Sequence, residues 1–280
     1  MRPNWPRILL VLAIVPVACA LVWGGLALWS SATKTPMPMD DQCVASANGA
    51  SVSVTLEQAH NAAIISAVGL RRGLPTRAVT IALATAYQES GIRNLDYGHA
   101  DSIGLFQQRP SKGWGTVKQI MDPYYSSGKF YSALLGVKNW RTRDINDVAQ
   151  AVQRSAYPDA YRKHVSKAQA LAAALTGLQP AGLTCKAGSP AKADAAGLAA
   201  LLHKSLADEV IVTRTEKGLI VQGSTQQRAW AAAASAVAYS DAYGVARVTL
   251  GGADWALSTG SLASWTGNGT GSIVTVAFRD

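Results

Sequence analysis

Apolar positions follow a helical period through most of residues 55–175 and a strand period mainly beyond residue 208. Thr55-Leu56-Glu57-Gln58 has the form of a capping box. Behind it, Ala62, Ile65 and Val68 share one face as far as about Leu70. Arg71-Arg72-Gly73-Leu74-Pro75 interrupts the pattern. Pro75 is tolerated in a first turn, and Val79, Ala82, Leu83, Ala86 and Tyr87 then mark the core stripe of a second helix. Asp122-Pro123 starts a third, with Phe130, Leu134 and Val137 inward, and residues 144–175 continue helically through Val148 and Val152.

The ends of the chain read differently. No charged residue falls between Ile8 and Trp29, a stretch that as a helix would reach about 33 Å and cross a bilayer core. Arg2 and Arg7 precede it and favour a cytoplasmic N-terminus. Residues 1–31 are therefore expected to be a membrane anchor, making a single-pass cell-membrane protein with its domains outside. Ala18-Cys19-Ala20 supplies the rival, a cleaved signal peptide and a secreted chain, but the apolar run continues through Leu21, Val22 and Trp23. Residues 32–54, with Pro36, Pro38 and Gly49, read as a tether, and residues 177–194 as a small-residue linker. Residues 195–280 then give a short helix, strands near 209–214 and 219–222 around a Glu-Lys-Gly turn, a helix closed by Gly244, and strands near 246–250 and 273–278. That pattern is a small α+β domain.

Cysteine and charge sharpen the picture. Of three cysteines, Cys19 lies in the apolar stretch, and Cys43 and Cys185 bracket the helical region. In an oxidising compartment they are expected to be bonded. His60, His99, His164 and His203 are scattered, so neither a metal site nor a cofactor is expected. Net charge is +9, and residues 62–175 carry fifteen Lys and Arg against seven Asp and Glu. Residues 176–280 carry eight against seven, so the excess sits on the helical region and suits an anionic polymer. No nucleic-acid motif accompanies it, so nucleic acid is not the expected partner.

The chemistry concentrates between Val79 and Pro110. Glu89 ends the second helix at the edge of its apolar face, where partial burial and the helix C-terminus both disfavour a negative charge. A carboxyl group with a raised pKa suits a general acid. Ser90 follows it, then a polar loop with Asp96 and Asp101, then Gly104-Leu105-Phe106-Gln107. This order resembles the lysozyme-like superfamily that includes soluble lytic transglycosylases and goose-type lysozymes, over roughly residues 56–175. The resemblance implies a mainly α catalytic domain at residues 55–176; with the apolar N-terminal stretch and the C-terminal strand pattern, the expected architecture is that domain preceded by one transmembrane helix and followed by the α+β domain.

It also implies cleavage of the MurNAc-GlcNAc β-1,4 bond of peptidoglycan strands, with Glu89 as general acid and base. Goose-type lysozymes add a loop carboxylate, here Asp101 or Asp96; transglycosylases need none, because a sugar hydroxyl attacks internally. Ser90, Ser102, Gly104, Phe106, Gln107 and Gln108 are the implied cleft residues, and Trp114 offers a sugar platform. The tyrosine that faces the catalytic Glu in transglycosylases falls on Gln153 or Tyr157, and the residues leave that choice open. Transglycosylase is the preferred activity, with a hydrolysing lysozyme or an inactive wall-binding scaffold of an envelope machine as alternatives. Trp255 and Trp265, set among glycine-rich turns, are read as docking aromatics for a partner protein or the wall. On that reading a chain ending near Leu175 would still cleave soluble fragments.

Overall fold

Asn48 and Gly49 both take positive φ, 52° and 75°, and turn residues 42–54 into a hairpin, β1 (Gln42–Ala47) and β2 (Ala50–Val54). A two-residue turn with both centres left-handed matches the twist of paired strands, which is why Asn-Gly favours it. The computed structural model describes residues 40–154 and 159–279. Most of the described part of the expected tether is therefore sheet. β3 (Leu183–Lys186), within the expected linker, pairs antiparallel with β1, setting Cys185 opposite Cys43, and the two are disulfide-bonded.

Between these strands lies the helical lobe: α1 (Leu56–Arg71), α2 (Thr76–Ser90), the one-turn α3 (Val117–Ile120), α4 (Pro123–Leu135), α5 (Ile145–Gln153) and α6 (Val165–Leu175). Thr55 makes both bonds of its capping box with Gln58. α2 is enclosed by α1, α4, α5 and α6, so Val79, Ile81, Leu83 and Ala86 have no exposed surface. Each of its larger aliphatic side chains contributes roughly 1.5–3 kcal/mol by leaving water. The helix stops at Gly91, whose left-handed backbone (φ 64°) lets its N–H close on Ala86 O and Tyr87 O.

The rest is α7 (Ala195–Leu206), β4 (Val210–Thr215), β5 (Gly218–Gly223), α8 (Gln226–Ala238), the one-turn α9 (Ser240–Tyr243), β6 (Val245–Leu250), β7 (Ala253–Ala256) and β8 (Ile273–Phe278). The strands form an antiparallel sheet in the order β4-β5-β8-β6-β7, and α8 covers one face. α8 also packs on α1, α6 and β3, its alanines allowing close approach. At Gly177 a Cβ would stand 2.0 Å from Gln227 O, so only glycine fits under that helix. His60 of α1 stacks on Tyr239 with ring centroids 4.4 Å apart and bonds Asp241 at 2.8 Å. The buried core runs without a break from Cys43 to Val276, and residues 40–280 are one compact unit.

Two expectations are corrected. The fold is mixed α/β with two antiparallel sheets, not a mainly α domain, because the flanks of the helical lobe pair as strands. Nor does the structure bear out a single-pass membrane placement: among the described residues no helix is long and apolar enough to cross a membrane. The stretch from Ile8 to Trp29, and the signal-peptide rival with it, lies outside the described residues. The aromatics expected to face a partner are turned inward. Trp255 is fully buried, its indole N–H donating to Thr184 Oγ1 at 3.0 Å, and that of Trp265 donates to Leu183 O at 2.8 Å.

Candidate active site

Glu89 sits one residue before the end of α2, at the margin of the core, and opens on a cleft of about 960 Å³. Tyr161, fully buried just before α6, donates its hydroxyl to Glu89 Oε1 at 2.7 Å. Its own backbone N–H donates to Asn146 Oδ1 at 3.2 Å, which fixes the turn against α5. Gln153, the last residue of α5, also hydrogen-bonds Glu89, and its Nε2 donates to Phe106 O at 2.8 Å. Burial raises the Glu89 pKa; the bonds from Tyr161 and Gln153 favour the ionised form and oppose it, and the net direction is upward. Burial thus favours the protonated carboxyl group and the two hydrogen bonds favour the carboxylate.

Ser90 braces this arrangement and does not line the cleft. Its hydroxyl donates to Leu105 O (2.8 Å) or Ala86 O (3.1 Å) and accepts from Arg93 N, pinning the helix end to the following loop. That loop doubles back through paired backbone bonds between Ile103 and Gln108. Gly104, with φ 77°, packs its Cα side against Ile120, where a Cβ would lie 3.0 Å from Ile120 O. Phe106 stacks on Phe130 inside the core, 4.6 Å between centroids, and offers the site only its carbonyl.

Ser102, Gln107, Gln108, Trp114 and Gln153 do line the cleft. Gln107 Nε2 donates to Tyr97 O at 3.2 Å and Gln108 Nε2 to Ser126 O at 3.1 Å. The Gln108 amide oxygen is buried without a hydrogen-bond partner among the described residues. His99, Arg109, Lys112 and Arg154 also line it, residues that the sequence reading had not singled out for this site. Glu89 is the one carboxylate among the described residues of the lining.

Neither loop aspartate lines the cleft with Glu89. Asp101 accepts from Arg109 Nε at 2.6 Å, Ser111 N at 2.8 Å and Ser111 Oγ at 3.0 Å, contacts led by Arg109 that hold it well below the usual carboxylate range. Asp96 is exposed and outside the lining. Tyr157 lies outside the described residues. The group facing the Glu89 carboxyl is Tyr161, to which the sequence gave no role. No group of His, Cys, Asp and Glu among the described residues is arranged to hold a metal ion. No family model matches the chain, and no curated protein matches it significantly.

Proposed function

We propose that this protein cleaves the MurNAc-GlcNAc β-1,4 bond of peptidoglycan glycan strands as a lytic transglycosylase, with Glu89 as general acid and then base. The observation that carries the reading is a half-buried carboxyl group of raised pKa, the one carboxylate among the described residues that line a polar cleft. Protonated Glu89 gives its proton to the glycosidic oxygen as the C1–O bond breaks. The carboxylate then takes the proton of the muramyl C6 hydroxyl as that oxygen bonds C1, which closes an anhydro ring and restores Glu89 to its acid form. Tyr161 and Gln153 stabilise the carboxylate between the two steps, and Trp114 offers a face to the sugar.

A hydrolysing enzyme needs a carboxylate placed to activate water, at a distance that leaves room for it. Asp101 is committed to Arg109 and Ser111, and Asp96 is outside the cleft, so the internal attack is the better fit. The test is the mass of products from purified peptidoglycan. Anhydro products, one water lighter than hydrolysis products, are expected, with a loss of at least about 10²-fold in folded Glu89→Gln. Reducing products sink the transglycosylase assignment, and undiminished cleavage by Glu89→Gln sinks the role of Glu89.

A further inference from the structure

Arg154 occupies a place where an arginine costs stability. It caps the C-terminus of α5 with φ 52° and ψ 40°, the left-handed conformation that helix ends reserve mainly for glycine. A side chain there brings Cβ against the neighbouring carbonyl, at about 1–2 kcal/mol. Its side chain is exposed and, among the described residues, forms no ion pair and no side-chain hydrogen bond. It lines the cleft directly after Gln153, whose amide meets Glu89. Strain with no partner for the side chain among the described residues points to a position held for another purpose.

The cleft states what that purpose is. Arg109 and Lys112 reach it from the loop after Gln108, and Arg154 from the end of α5. Arg109 is engaged by Asp101, whereas Lys112, like Arg154, is in no ion pair among the described residues. Against these cations the described residues of the lining set a single acid, Glu89, which on the proposed reading is protonated when the reaction begins. A neutral sugar chain calls for hydroxyl and amide partners, which Ser102, Gln107 and Gln108 already supply. Cations in a walled groove attract anionic groups, and a guanidinium matches the fork of a carboxylate.

We propose that Arg154 binds a free carboxylate on the peptide side group of the glycan strand, so that the cleft selects strands whose peptides keep their acids over strands in which those acids are amidated. This rests on the peptidoglycan reading above, and binding tests it without cleavage. In the Glu89→Gln protein, affinity is measured for disaccharide-peptide fragments of peptidoglycan with free carboxylates and for the same fragments amidated. The acid form is expected to bind about tenfold more tightly, and Arg154→Gly to remove that preference while leaving the thermal midpoint equal or higher. Arg154→Lys, which keeps the charge without the fork, should retain part of the preference. A preference that survives Arg154→Gly, a preference that is absent from the start, or no binding of either fragment overturns the proposal. Cleavage by the unaltered protein, assayed separately, decides the reading it rests on.

Discussion

The hydroxyl of Tyr161 donates to Oε1 of Glu89 across 2.7 Å, joining the turn before α6 to the end of α2. This bond favours the ionised carboxylate, so its loss moves the Glu89 pKa further up. Tyr161→Phe is expected to lower the rate by about 10- to 100-fold, the scale of one hydrogen bond to a charged group. Since the proposed reaction starts from protonated Glu89, the alkaline limb of the pH-rate profile should also shift to higher pH. An unmoved limb would show that the hydroxyl does not tune the carboxyl group.

Glu89 carries a stability cost with a definite pH dependence. Its folded pKa is raised, chiefly by burial, so the native state binds the proton more tightly than the unfolded chain and loses stability as pH rises through the two pKa values. Glu89→Gln removes a charge that is costly to bury. Its melting temperature should exceed that of the unaltered protein at neutral pH, and the excess should shrink as pH falls below the ordinary glutamate range. A constant or reversed difference across that range contradicts the assigned direction.

On the proposed transglycosylase reading Asp101 supports the loop beside the cleft and takes no part in the chemistry. Asp101→Asn loosens Arg109 and Ser111, with an expected loss of activity under about tenfold and no change in product mass. A loss above about 10²-fold together with reducing products would make it the second carboxylate of a hydrolase.

The disulfide joins cysteines 142 positions apart in the sequence. A loop of that size is worth about 4–5 kcal/mol in the chain-entropy model, and removing such a bond commonly costs about 2–5 kcal/mol. Paired Cys43→Ala and Cys185→Ala substitutions should show a loss in that range by denaturant unfolding.

The structure reverses the expectation for a chain cut near Leu175. Such a chain lacks β3, the disulfide and α8, and it uncovers apolar surface on α1 and α6. It should fail to unfold cooperatively and should not cleave soluble fragments. A folded, active truncation would mean that the lobe stands alone.

The helices were legible where one short window held all the information. The capping box at Thr55 and the stripe from Val79 to Tyr87 each lie within a few turns, and Glu89 followed from its place on that stripe. The hairpin was not legible although Asn48-Gly49 marked it, because alanine and serine alternate weakly in β1 and β2. The partner that makes β1 a central strand, β3, lies beyond the whole helical lobe. Trp255 and Trp265 misled for a similar reason: glycine-rich turns suggest exposure, while the groups that bury and bond these rings, Thr184 and Leu183, are remote in sequence. The basic cleft lining was hidden because Arg109, Lys112 and Arg154 converge only after folding.

Strand order in the first sheet, β2-β1-β3, constrains the sequence of events in folding. β1 and β2 can pair as soon as residues 42–54 leave the ribosome or a translocation pore, but the other edge of β1 stays open until residue 186 has followed. During that interval the chain presents a bare strand edge, a template for pairing with other chains. The element that begins the fold is thus among the last to be completed, a long-range closure that slows folding as non-local pairings do. Refolding yield should therefore fall as protein concentration rises, with the nascent chain most vulnerable while the helical lobe is being made.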